Sequence, residues 1–271
     1  MPLFTIPAPG QALGTTCLAT LPDSPATLAA LGLLAYLSAD VAHHVAGHGG
    51  ACLALGGQLL RLTSIRADCS CTGAAIDLAG PLANLLLGAA AWAAGRWLRS
   101  AAAPTRLFLL LTAGFNLFYF AGQLAYCAAA NTDDWWWPLR QARVPAAGRY
   151  LLAALGLALY GAVVPPLARQ LASFATPRHR ATRIVGLAWL AAGVVAAATA
   201  ASDHPVSTAL LAHALPQALL LPAGFWLLPA RAAQMAAKQA PPLAFSWHWV
   251  MAALVAGAGS VLLLGPGISF H

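Results

Sequence analysis

The stretch SADVAHHVAGHGG, residues 38–50, places an aspartate and three histidines within nine residues of a long apolar run. Asp40, His44 and His48 fall at i, i+4 and i+8, which on a regular α-helix stacks them along one face. His43 then points about 100° away from that face. Two imidazoles at i and i+4 project from consecutive turns and can share one metal ion, so His44 and His48 are the first expected ligands. A third ligand must come from elsewhere in the chain. Asp133 and Asp134, in AAANTDDWWWP, are the candidates. The same residues have a plainer reading. Histidines hydrogen-bond to neighbouring helices, and two solvated acids sit beside an interfacial belt of Trp135, Trp136 and Trp137.

These residues belong to a chain of 271 residues that is 60% hydrophobic and 8% charged. A soluble globular domain carries about 25% charged residues, so that class is excluded, together with disorder and coiled coils. The expected fold class is an all-α polytopic membrane protein. Polar groups inside its spans are costly and are therefore functional candidates. Thirteen Arg and one Lys stand against seven Asp and no Glu, for a net charge of +7. No basic face of the kind that reads nucleic acid is visible. The expected partners are the lipid bilayer and a transmembrane-helix substrate or partner protein, with no nucleic acid. The first residues, MPLFTIPAPG, lack the basic start of a cleaved secretory signal. The expected location is the bacterial inner (cytoplasmic) membrane.

A span needs about 20 mostly apolar residues. That length predicts helices over residues 26–55, 74–98, 106–130, 150–174, 183–201, 206–228 and 247–264, six or seven in all. Pro165 and Pro166 in the fourth, and Pro216 and Pro222 in the sixth, predict kinks. After the first span, GGQLLRLTSIRADCSCTG alternates apolar and polar residues. It predicts a small interfacial β-hairpin in which residues 59–64 pair with residues near 71–75. Cys69 and Cys71 in it read first as two ordinary thiols, with a tight disulfide or a metal contact as alternatives. Basic residues divide nine against five between alternate connections, which mildly favours a cytoplasmic N-terminus. The chain divides into an N-terminal segment 1–25, a three-span core 26–137 and a C-terminal bundle 138–271.

Three stretches carry a family resemblance. HHVAGHGGACLALGGQLLRLTS resembles the first motif of the site-2 protease (M50-type) intramembrane zinc metalloproteases: HExxH on a membrane helix, then small residues, Gly-Gly and a hairpin. IDLAGPLANLLLGAAA resembles that family's AGPLANLLL helix, with Pro81 and Asn84 in place. GFNLFYFAGQLAYCAAANTDDWW resembles the helix that delivers the family's aspartate ligand, with Asp134 before Trp135. The resemblance covers residues 36–137. It implies zinc as cofactor, His44, His48 and Asp134 or Asp133 as ligands, peptide-bond hydrolysis within the membrane, and a hairpin to which an extended substrate adds a strand.

Aligning His44 and His48 to HExxH puts Val45 where the general-base glutamate belongs. Valine can neither accept nor return a proton, and general acid–base assistance supplies about 10²–10⁴-fold in rate. Asp40 and His43 are the remaining candidates for the catalytic proton. Asp40 alternatively orients a metal-bound histidine. The expectation is thus an M50-like metalloprotein with impaired catalysis. Its rivals are a non-catalytic scaffold that binds membrane helices, and a haem-binding or transport protein using His213 and His248 as axial ligands. His204 reads as a solvated loop residue. Gly-Ala-Gly-Ser260 departs from the Gly-x-Ser-Gly elbow of a rhomboid-like serine protease.

Overall fold

The structure is a computed structural model that describes residues 22–132, 134–175, 177–203, 206–235 and 241–270. Seven helices in it are long and apolar enough to cross a membrane: Pro25–Ala54, Ala74–Trp97, Ala103–Ala130, Ala147–Ala172, Arg178–Ala200, Ala209–Ala232 and Trp247–Leu264. Large apolar side chains point outward along them, Leu86 and Leu262 each 71% and Val194 70% exposed. In water such a surface would aggregate; against lipid chains it is solvated. The protein is an all-α polytopic membrane protein with a small β-sheet.

Helix α1 (Pro25–Val41) starts where Ser24 caps it, its hydroxyl accepting the Thr27 N–H, with Pro25 supplying the preset φ of a first helical residue. It runs on through Ala42–Gly49, where hydrogen bonding changes to i→i+5, a π-helical stretch, and ends in α2 (Gly50–Ala54). Strands β1 (Leu59–Leu62) and β2 (Ala67–Cys69) follow, then α3 (Ala74–Trp97) and α4 (Ala103–Ala130). α4 is the most enclosed span. Its Phe115 and Phe118 meet Phe225 of the sixth span edge to face, with ring centroids 4.8 and 5.6 Å apart. A short α5 (Trp136–Gln141), then α6 (Ala147–Ala172) and α7 (Arg178–Ala200), complete the first five spans. α6 runs as unbroken helix through Pro165 and Pro166.

The sixth span does break up. It begins with α8 (Val206–Thr208), is π-helical over Ala209–Ala214 and Pro216–Leu220, 3₁₀ over Leu221–Leu227, and regains α geometry in α9 (Leu228–Ala232). Pro216 and Pro222 have no N–H to give to the preceding turn, so the hydrogen-bond pattern shifts around them. Side chains satisfy carbonyls there: Trp189 Nε1–H donates to Leu219 O at 3.0 Å and Tyr160 O–H to Leu221 O at 2.8 Å. α10 (Trp247–Gly259) and a last π turn (Ser260–Leu264) form the seventh span.

The hairpin forms with a tighter turn than its sequence predicts. Thr63 N–H bonds Arg66 O, and the Thr63 hydroxyl accepts the N–H groups of Ile65 and Arg66. The chain therefore returns over Ala67–Cys69, with Leu59 opposite Cys69 and Leu62 opposite Ala67, and Ala74 and Ala75 already belong to α3. A third strand, β3 (Ile268–Ser269), pairs antiparallel with the other edge of β1, giving the order β2-β1-β3. Cys69 forms a disulfide with Cys52 of α2, which corrects the reading of two ordinary thiols. The Cys71 sulfur lies 3.4 Å from that of Cys69. At the opposite end of the bundle, Arg180 holds Asp23 through two 2.8 Å hydrogen bonds, and Leu243 N–H donates to the same carboxylate at 2.7 Å.

Candidate metal centre

The π-helical stretch decides which histidines meet. An i→i+5 turn brings residues five apart onto one face, as an α turn does for residues four apart. His43 and His48 therefore share a face, with Nε2 atoms 3.1 Å apart. Asp134 reaches the same point: its Oδ2 lies 2.9 Å from His43 Nε2 and 3.4 Å from His48 Nε2. Asn131 ends α4 in the left-handed conformation and turns the chain so that Asp134, three residues on, points back at the bundle. Gln123 of α4 donates to Asp134 Oδ2 at 2.7 Å.

Both imidazoles are held in the tautomer that a metal requires. His43 Nδ1–H donates to Asn84 Oδ1 at 2.6 Å, and His48 Nδ1–H donates to the Ile76 carbonyl at 2.8 Å. Each ring thus presents a bare Nε2 lone pair. Asn84 is itself fixed, its Nδ2 donating to Ala39 O and to Asn116 Oδ1, while Asn116 Nδ2 donates to Thr112 O. This relay spans three membrane helices with every amide partnered, as buried polar groups must be. Gly80 supplies the room: a Cβ there would strike His48 Nε2 and lie 2.8 Å from His43 Nε2. Gly47 lets the two helices close, since its own Cβ would stand 2.6 Å from Gly80 Cα.

Two lone pairs and a carboxylate converging in a buried site call for a shared cation. Zinc with tetrahedral ligands at 2.0–2.1 Å separates neighbouring ligand atoms by about 3.3 Å, and the three distances here are 2.9, 3.1 and 3.4 Å. The donor set of two imidazoles and one carboxylate fits such an ion.

His44 lies beside this triad rather than in it. The regular helix pairs His44 with His48; the π turn instead sets His43 Nε2 against His48 Nε2, with His44 next to them. His44 offers a ring nitrogen within 4.8 Å of those of His43 and His48. Neither of its ring nitrogens makes a hydrogen bond of good geometry among the described residues. Asp40 Oδ1 stands 3.9 Å from His44 Nε2, one turn back. Val45 is 36% exposed and does not line the site. In the frame set by His43, the residue directly after the first ligand is His44, not Val45. Asp133 and His204 lie outside the described residues.

A cavity of about 270 Å³ opens beside the triad, lined by His44, His48, Asp134, Asp77 and His213, with Ile65, Arg66 and Ala67 of the hairpin at its mouth. His213 is thus part of this site. His248 sits in the first turn of the seventh span, next to Ser246, whose N–H bonds Thr27 at the far end of α1. The two cannot flank one haem. The sequence marks Asn84 only as part of a resembling stretch and gives no site role to Asn84, Asn116, Gln123 or Asp77. The signal was present, because an amide or carboxylate inside an apolar span must be partnered there. No protein-family model, curated protein or solved structure matches the chain, so the reading of the site rests on its own residues.

Proposed function

We propose that the protein is a membrane-embedded zinc-dependent peptidase of the site-2 protease type, which hydrolyses a peptide bond near the hairpin-side border of the bilayer. The observation that carries this reading is the convergence of His43 Nε2, His48 Nε2 and Asp134 Oδ2 within 3.4 Å, with a cavity on the open side. His43, His48 and Asp134 would hold the ion, which when bound supplies Lewis acidity and makes water acidic at neutral pH. His44 occupies the place after the first ligand where H-E-x-x-H enzymes carry their base. It faces the cavity, and neither ring nitrogen makes a hydrogen bond of good geometry among the described residues, so it is the residue that would accept and return the proton. Asp40 Oδ1, one turn before, stands 3.9 Å from His44 Nε2, too far for a hydrogen bond but close enough for its charge to favour a protonated imidazole. The outer edge of β2, beside Ala67 at the cavity mouth, is where an extended substrate segment can add a strand. β1 cannot serve, since β3 already occupies its second edge.

The test is the metal content of the purified full-length protein and four variants, read with cleavage of a membrane-spanning reporter. One zinc per chain is expected in the natural protein and in His44→Ala, and loss of zinc in His43→Ala, His48→Ala and Asp134→Ala. Absence of stoichiometric metal from the natural protein after zinc loading sinks the proposal. A second reading is favoured by the absence of glutamate from the whole chain: a metal-bearing scaffold that holds membrane helices without cutting them. Zinc binding with no cleavage in any variant selects it.

A further inference from the structure

A second polar concavity lies at the opposite border of the bundle. The end of α3, the start of α4 and the end of α6 enclose a cavity of about 350 Å³. Arg96, Arg99, Arg106 and Arg169 line it, with no carboxylate among the lining residues. None of the four forms an ion pair among the described residues, where only Arg61, Arg66 and Arg180 do so. Two of the guanidinium groups are nonetheless held in place. Arg106 donates to Arg99 O at 3.0 Å and lies 5.0 Å over the Phe174 ring, and Arg96 lies 5.1 Å over Trp92. Like charges gathered around one small volume repel one another, and the free energy is recovered when an anion enters.

We propose that this cavity binds the phosphate of an anionic phospholipid headgroup. Planar, permanently charged guanidinium groups match phosphate oxygens two at a time, and four of them around a headgroup-sized cavity form a receptor for such a group. The phosphate comes from a lipid rather than from solution because of where the cavity lies. It is bounded by the ends of three spans, and Trp97, 83% exposed, and Leu98 stand next to it on the outer surface, where acyl chains run. Eight of the thirteen arginines fall at this border of the bundle, the pattern of a cytoplasmic face. Anionic lipids make that leaflet negative, and basic pockets between spans select their headgroups. The site is independent of the metal centre, which lies at the other border.

The experiment is native mass spectrometry of the full-length protein in neutral detergent, titrated with phosphatidylglycerol, with phosphatidylcholine and with inorganic phosphate. One phosphatidylglycerol is expected to bind at about tenfold lower concentration than phosphatidylcholine, and Arg99→Gln/Arg169→Gln should weaken it by about tenfold or more, as losing charge-assisted hydrogen bonds does. Arg169→Gln alone, at an exposed position, keeps the test valid should the double variant fail to fold, and should weaken binding in the same direction. Arg140→Gln/Arg143→Gln, at the other border, should leave binding unchanged. Equal phosphatidylglycerol binding by the natural protein and the cavity variants overturns the proposal. So does saturable binding of inorganic phosphate without preference between the two lipids, which assigns the anion to solution.

Discussion

His43 and His48 face each other at 3.1 Å between their Nε2 atoms although five positions separate them in the chain. The helix between them is wound to i→i+5 hydrogen bonding, and single π turns of this kind are found where a helix carries function. The winding also frees His44 to face the cavity beside its two neighbours. A helix that kept i→i+4 bonding throughout would have to give up one of these three placements.

The first prediction follows from that assignment of roles. His44→Ala should keep zinc and lose about 10²–10⁴-fold in peptidase rate, the usual contribution of a general base. His44→Glu should retain both zinc and most of the rate. Val45→Glu should change neither, because that side chain points out of the site. A gain of activity in Val45→Glu, or loss of zinc in His44→Ala, would reassign the ligands.

Asn84 should matter to the metal without touching it. Asn84→Leu removes the acceptor that fixes the His43 tautomer and leaves Nδ1 unpartnered in a buried site. Removing such outer partners typically lowers metal affinity by about 10–100-fold. Competition with a chelator measures this directly, and an unchanged affinity would remove Asn84 from the site.

The disulfide ties the histidine-bearing helix to the hairpin across 17 residues of sequence. Closing a loop of that size is worth about 3 kcal/mol. Cys52→Ser, Cys69→Ser and the double variant should destabilise the detergent-solubilised protein equally, while Cys71→Ser should leave its unfolding midpoint in place. If Cys71→Ser destabilises as much as the others, the pairing is different.

Asp23 gives the pH dependence. Burial raises its carboxyl, but the Arg180 guanidinium and the Leu243 N–H bind the charged form more strongly and leave it below the usual carboxylate range. The folded state therefore prefers the ionised form. Its stabilisation is fully present above the unfolded pKa of about 3.9 and is lost as the pH falls through the lower folded value. Asp23→Asn should destabilise by on the order of 2 kcal/mol at pH 7. The difference from the natural protein should shrink below pH ~4; a gap that stays constant down to pH 2 would contradict the ion pair.

The spans were legible because length and apolarity alone fix them, and Pro216 and Pro222 announced the irregular sixth span. Asp134 and His48 were legible as site residues from chemistry and resemblance. His43 was legible only as a proton carrier and not as a partner of His48, since a 3.6-residue period assumes an α-helix. The only local warning was the run Gly47, Gly49 and Gly50, residues that hold a helix weakly. The place of Asn84 was hidden for a different reason: its partners come from α1 and α4, and pairing across helices leaves no period in the sequence. β3 is two residues long, too short for any alternation to show, although Gly267, with φ +84°, marks the turn before it.

β3 has a mechanical consequence. Arg61 reaches Asp203 and the Pro266 carbonyl, Ser64 N–H bonds Leu264 O, and β1 lies between two strands. The hairpin is thereby fastened to the ends of the fifth and seventh spans as well as to α2. It cannot swing like a flap hinged at its base. Any displacement of the sheet must instead break these contacts or carry the ends of two spans with it, so the mouth of the cavity is braced from the fifth and the seventh span at once.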